Sequence, residues 1–308
     1  MEYAIGIDIG GTNTDIGLVN EKGQCVARKN LPTAQYKEVE KYVDDIAHAI
    51  RHLLSENDVN DIAGIGIGAP NGNYYTGTID FAPNLPFKGR IFLKDMIQQR
   101  LNTKVVLSND ANAAAYGEKI YGGAKEMDDF ILITLGTGVG SGIFVNGQMV
   151  YGHDGFAGEL GHATLIVGGR PCTCGRRGCL EEYASARGIV QTYNELCAEN
   201  GKTPIPDVTC KDLTAAADNG DEMAIGTWKK TAELLGIALS NAVTFSSPEA
   251  IFLMGGPVRA GNWLLEPLKL AFEANMLNIF KGKVKILTSE LPQNDVAILG
   301  ASALVYER

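Results

Sequence analysis

Four stretches of this 308-residue chain set chemically capable side chains at spacings that a reaction or a metal would need. The first, Asp8-Ile-Gly10-Gly11-Thr12-Asn13-Thr14, puts a carboxylate ahead of two glycines and then hydroxyl and amide donors. Glycines lack Cβ, so backbone N–H groups can approach an anion there, which suits the phosphate tail of a nucleotide. A tight hairpin using glycine for positive φ would carry the same residues. The second stretch, Thr134-Leu-Gly136-Thr137-Gly138-Val-Gly140, offers the same donors again. Two such turns facing across a cleft could hold β- and γ-phosphates from both sides. Neither is a Walker-type loop, because no Gly-Lys-Ser/Thr follows. Neither is a dinucleotide fingerprint, because the glycines lie between two strands.

The third stretch runs from His162 to Cys172-Thr-Cys174-Gly175-Arg-Arg-Gly178-Cys179. One imidazole and three thiolates satisfy a tetrahedral zinc with no position left for water, so the ion would be structural. Gly175 and Gly178 stand where the chain must turn back to bring Cys179 to the same metal. A cluster of reactive thiols is the other reading. In the fourth, Ser108-Asn109-Asp110-Ala111, an apparent strand passes into an apparent helix. Asp110 is either a helix N-cap or, at the carboxyl end of a parallel strand where α/β folds bind ligands, a general base. Glu159 and Glu181 bracket the cysteine loop, as sugar-hydroxyl receptors held rigid by the metal or as solvated surface charges. Asn84, between Pro83 and Pro86, is either a turn residue or a hydroxyl contact.

The elements that must position these groups alternate. Strands are expected at 3–9, 14–19, 63–68 and 104–107 and helices at about 36–55, 91–100 and 111–120, which means α/β layers. The segment Ile5 to Val19 is echoed by Ile131 to Val145, each reading as strand, Gly/Thr turn, strand, then Asn and a glycine turn. A duplicated hairpin opening each of two lobes follows, with the boundary near 112–128. We expect an N-terminal lobe over 1–115, completed by a helix at 296–308, and a larger lobe over 116–295. Beyond a Gly- and Cys-rich stretch at 152–180, helices are expected at about 185–199, 221–245, 264–275 and 296–306, with a strand at 250–254.

A net charge of -9, from 27 basic against 36 acidic residues, would repel a nucleic-acid backbone. No apolar run reaches membrane-spanning length and no secretory signal opens the chain, so a cytoplasmic protein is expected. In a reducing compartment the clustered cysteines suggest metal, while Cys25, Cys197 and Cys210 read as small buried hydrophobes.

Taken together, these residues resemble the ROK family of sugar kinases and sugar-responsive repressors over essentially the whole chain. The matching segments are Asp8 to Thr14, Asn109-Asp110, Gly136-Thr137-Gly138, Gly158-Glu159-Leu160-Gly161-His162 and the cysteine spacing. The resemblance implies a two-lobed actin-like ATPase, ribonuclease H-like (hexokinase-type) α/β fold with a cleft between lobes, and a kinase using ATP and Mg2+ with a structural zinc. It implies Asp110 as base, and Asn84, Asn109, Glu159, His162 and Glu181 as sugar contacts, with the other nitrogen of His162 on zinc. It implies ATP contacts from Asp8, Gly10, Gly11, Thr12, Asn13, Thr137 and Gly138, with Gly255 and Gly256 bordering the adenosine, and a homodimer. The repressors carry a helix-turn-helix ahead of the first phosphate motif, which here begins within eight residues of the start, so a DNA partner is not expected. The run Cys172 to Ser185 resembles the glucokinase branch, pointing to glucose. Fructose, mannose, an N-acetylhexosamine, or a sugar sensor without catalysis are the other readings. Asn71-Gly72-Asn73-Tyr74-Tyr75 departs from the family's plainer Gly-Pro-containing turn.

Overall fold

A computed structural model describes residues 2–307. In chain order the strands are β1 (Tyr3–Ile9), β2 (Thr14–Asn20), β3 (Cys25–Leu31), β4 (Ile65–Gly68), β5 (Gly72–Asn73), β6 (Thr78–Asp80), β7 (Arg90–Ile91), β8 (Val105–Ser108), β9 (Phe130–Leu135), β10 (Val139–Val145), β11 (Gln148–Met149), β12 (Ala250–Met254) and β13 (Lys285–Thr288). The helices are α1 (Val39–Glu56), α2 (Leu93–Leu101), α3 (Asp110–Ile120), α4 (Glu181–Ala184), α5 (Ala186–Glu199), α6 (Cys210–Asp218), α7 (Glu222–Ser246), α8 (Asn262–Asn275) and α9 (Val296–Ala303).

The echo read from the sequence is a duplicated sheet. One sheet runs β3-β2-β1-β4-β8 and the other β11-β10-β9-β12-β13. In each, an antiparallel hairpin (β1–β2, β9–β10) is followed by two parallel strands. The copies differ in their turns: Ile9 pairs with Thr14 around Gly10–Asn13, whereas Leu135 pairs with Val139 around a turn one residue shorter. Each turn is closed from its first glycine, Gly10 N–H to the Asn13 carbonyl and Gly136 N–H to the Gly138 carbonyl, both at 2.9 Å.

Each sheet buries an apolar layer, because its central strands are flanked on both faces. Ile5, Ile7, Ile65, Ile67 and Leu107 pack on the Tyr42, Val43, Ile46, Ile50 and Leu53 face of α1. Ile131, Ile133, Ile251 and Leu253 pack with Trp228, Leu235 and Leu239 of α7 and Leu264, Leu268 and Phe272 of α8. On the other face of the first sheet, α9 lies so close that a Cβ on Gly66 would stand 1.8 Å from the Ala301 carbonyl oxygen. Between the sheets runs α3, with Ala115 against Gly142 of β10 on one side and Ala113 against Gly300 of α9 on the other.

Several boundaries differ from expectation. The expected 36–55 helix starts at Val39, because Tyr36 is extended (ψ 132°) after a 3-10 turn at Thr33–Gln35. The expected 296–306 helix tightens to a 3-10 turn over Leu304–Tyr306. The half-exposed β3, the β5-β6-β7 sheet, β11, β13 and α6 were not expected at all.

Candidate active site

The carboxyl ends of β1, β4 and β8 from one sheet and β9, β12 and β13 from the other converge on a cleft of about 990 Å³. Its lining takes in Asp8, Asn84, Asn109, Asp110, Thr137, Gly138, Glu159, His162, Glu181, Gly255 and Gly256. Gly10, Gly11, Thr12 and Asn13 stand outside that lining. The first turn abuts a neighbouring loop instead: a Cβ on Gly11 would lie 2.4 Å from the Asn84 carbonyl oxygen, and it is Asn84 that reaches the lining.

The ambiguity over Asp110 resolves at the helix start. Asn109 is the N-cap of α3, its Oδ1 accepting the Asn112 N–H at 2.7 Å, and Asp110 is the first helical residue. Capping is thus the task of Asn109, which leaves its Nδ2 for another partner and leaves the Asp110 carboxylate facing the cleft. Asp110 Oδ1 also accepts the Ala111 N–H at 2.8 Å. Asp110 is exposed to the open cleft, yet the protein crowding its carboxylate raises its pKa, and the backbone N–H donors oppose that rise. Asp8, at the end of β1, is pushed up to about 6, first by burial and then by the nearby charges of Asp110 and Asp15. Both carboxylates line one cleft, where their repulsion favours a cation or a proton beside them.

The second glycine turn is tied to the cysteine loop. Glu181, at the start of α4, accepts the Val139 N–H through Oε2 at 3.0 Å, and its Oε1 lies 3.8 Å from Arg187. Glu159 also faces the cleft, and its pKa is raised by lost hydration and by Asp110 and Glu181, with His162 opposing. Gly255 is a required glycine: its φ is +112° and a Cβ would lie 1.9 Å from the Leu135 carbonyl oxygen, so β12 can end flush beside β9.

His162, Cys172, Cys174 and Cys179 bring one ligand atom each to within 4.8 Å of one another. Cys172 Sγ lies 3.6 Å from His162 Nδ1, and Cys174 Sγ lies 3.7 Å from Cys179 Sγ. A tetrahedral zinc with bonds of about 2.3 Å to sulfur and 2.05 Å to nitrogen would space its ligands at about 3.6 Å (S to N) and 3.8 Å (S to S). The donor set therefore fits zinc in kind, number and spacing. With Nδ1 on the thiol side, the rest of the His162 ring borders the cleft. The loop is anchored through Arg170, whose guanidinium donates to the Glu182 and Gly188 carbonyls, Thr192 Oγ1 and the Glu195 carboxylate.

Sequence reasoning missed the cleft's cations. Arg187 and Arg259 are the Lys or Arg side chains among the described lining residues. Arg259 was within reach of inference, since it follows the Gly255-Gly256-Pro257 turn into a 3-10 helix whose N-terminus faces the cleft. Arg187, inside an ordinary helical pattern, carried no such signal. Ser141, Ser289 and Gln293 also line the cleft and were not singled out.

Comparison with known proteins gives a concordant result. The model of the family described as ROK family matches residues 4–308. A glucokinase of Halalkalibacterium halodurans is 36% identical over 99% of this chain and 96% of its own length. A glucokinase of Thermotoga maritima is 33% identical over 99% of this chain and 97% of its own. Among solved structures, a ROK family glucokinase from Streptomyces griseus in complex with glucose and AMPPNP superposes with a TM-score of 0.80, at 31% identity and 98% coverage of both chains.

Proposed function

This chain belongs to the ROK family, and on that premise we propose that it is an ATP-dependent hexose kinase converting D-glucose to glucose 6-phosphate, with Asp110 as general base. The observation that carries the reading is the shared cleft: Asp110 at the carboxyl end of one sheet faces the Thr134–Gly140 turn at the equivalent end of the other. The full-length likeness to glucokinases, one of them solved with glucose and AMPPNP, supports the same substrates.

The sugar binds between the lobes against Asn84, Asn109, Glu159, His162 and Glu181. Asp110 accepts the proton of the 6-hydroxyl as that oxygen attacks the γ-phosphorus, and ADP leaves. The raised pKa of Asp110 brings it closer to the working pH, which suits a base that must take a proton from an alcohol. Thr137 and Gly138 hold the phosphates, with Gly10, Gly11, Thr12 and Asn13 reaching them as the lobes close. Gly255 and Gly256 border the adenosine. Asp8 is the residue that would hold Mg2+, which when bound neutralises phosphate charge. His162, Cys172, Cys174 and Cys179 would hold zinc, which when bound would clamp the loop between Glu159 and Glu181.

Mannose, N-acetylglucosamine and N-acetylmannosamine differ from glucose at C2 and fructose is its ketose isomer, so one panel separates them. An ADP-coupled assay over glucose, fructose, mannose, N-acetylglucosamine and N-acetylmannosamine is expected to give the highest kcat/KM for glucose. Sugar binding without ADP release would replace the kinase reading with a sensor. Among the described residues no helix is long and apolar enough to cross a membrane. A cytoplasmic homodimer completes the proposal, and sedimentation velocity checks the assembly.

A further inference from the structure

The Asn71–Tyr75 run contributes Asn71 to the cleft lining, but the residues after it do something else. β5 lies against the end of β8: a Cβ on Gly72 would stand 2.3 Å from the Ser108 carbonyl oxygen, immediately before Asn109 and Asp110. The next residue, Asn73, is 3% exposed and splits its amide between two tasks. Its Oδ1 accepts the Tyr75 and Thr76 N–H groups at 3.0 and 3.1 Å, which closes its own hairpin. Its Nδ2 donates to the Asp154 carbonyl at 2.6 Å, on a loop that follows the second sheet's hairpin.

Two further contacts reinforce this junction. The Tyr75 hydroxyl donates to the Gly152 carbonyl at 2.9 Å, and the Tyr74 ring stacks on Tyr151 at 3.9 Å with 7° between planes. The loop so held is closed at its base by the Ala157 N–H to the Tyr151 carbonyl at 3.0 Å. Its exit, Gly158, accepts from the Ser141 hydroxyl and leads directly into Glu159. A continuous chain of contacts therefore runs from the strand end that carries Asp110, through Gly72 and Asn73, to the loop that carries Glu159.

We propose that Asn73 is a positioning residue: its amide clasps the Asp154 carbonyl across the two halves of the molecule and holds Glu159 in register with Asp110 for sugar binding. The inference rests on the kinase reading above. It assigns the clasp to the sugar side of the cleft and not to the Gly255–Gly256 and Arg259 side where the nucleotide base would lie.

Asn73→Asp separates the two tasks, since the carboxylate keeps the hairpin acceptor but loses the donor and opposes the Asp154 carbonyl. The test is steady-state kinetics with glucose varied at saturating Mg-ATP, and the reverse. Misplacement of a binding group is expected to raise the KM for glucose at least ~10-fold while that for ATP stays within about 2-fold. Unchanged glucose parameters, or glucose and ATP KM values rising together, overturn the clasp. Should Asn73→Asp fail to fold, Tyr75→Phe removes only the hydroxyl bond to Gly152, and a glucose-selective rise of about 3-fold is expected. No selective effect there overturns the proposal equally. Wild-type protein that does not phosphorylate glucose in this assay defeats the kinase reading itself, a failure seen before any variant is compared.

Discussion

Glu181 accepts the backbone N–H of Val139 at 3.0 Å, so a carboxylate at the end of the cysteine loop is bonded to the second glycine turn. The approach depends on Gly138, where a Cβ would lie 2.5 Å from Glu181 Oε2. One side chain therefore ties the end of the cysteine loop to the second glycine turn, the proposed sugar and phosphate sides of the cleft.

Removing that link should disturb both substrates. Glu181→Ala is expected to raise the KM for glucose and for ATP together and to lower kcat by roughly 10- to 100-fold, the scale of a misplaced reacting group. Glu181→Gln, which still offers the Val139 N–H an acceptor, should keep the ATP KM near that of wild type. Kinetics with each substrate varied distinguishes the two, and an ATP KM untouched by Glu181→Ala would show that the bond does not order the turn.

Zinc should be stoichiometric. Freshly purified protein that has met no chelator is expected to carry one equivalent by elemental analysis, and Cys174→Ser should lose it together with glucose affinity, since the loop joins Glu159 to Glu181. Metal-free wild-type protein with full glucose affinity would remove the clamp from the account.

The acid limb of activity and the stability of the site should move in opposite directions. Asp8 is at about 6 in the folded protein against 3.8 ordinarily, so between those values the native state holds a proton that the unfolded chain has lost. Falling pH through that window favours the native state through this group, and rising pH toward neutrality removes the gain. Protonation of Asp8 and Asp110 would meanwhile deprive the site of its proposed cation ligand and base. We expect kcat/KM for glucose to fall below about pH 6. Asp8→Asn is expected to raise Tm at pH 7 but not at pH 3.5, as followed by thermal unfolding; a lowered Tm at pH 7 would contradict the cost assigned to this carboxylate.

Gly66 should admit no side chain. A methyl group there would meet the Ala301 carbonyl at 1.8 Å and push α9 off β4, so Gly66→Ala should cost about 3 kcal/mol or more by denaturant unfolding. Near-wild-type stability would mean that α9 is free to shift.

Much of this was legible because the chemistry demands rare patterns. Two Gly/Thr turns at matching places in two hairpins announced the duplication, and the structure repeats it down to the strand order. One imidazole and three thiols within eighteen residues announced the Cys/His cluster, which is why a segment without periodicity could still be read. The small β5-β6-β7 sheet stayed hidden because its strands are two or three residues long and it closes through side chains such as Asn73, not through an apolar alternation. β3 was masked by Arg28 and Lys29, whose charges sit on a half-exposed edge strand. α6 was legible and missed: Thr209 and Asp212 form a capping box at its start. Arg187 could not be found at all, since its place in the cleft is set by how α5 packs and not by its neighbours in sequence.

Asp110 is proposed to take the proton of a sugar hydroxyl beside a bound ATP. The direct measurement is glucose 6-phosphate formation by Asp110→Asn, with glucose affinity measured on the same preparation by calorimetry. The account predicts a loss of at least ~100-fold in kcat with glucose affinity retained. Turnover within a few fold of wild type would contradict it.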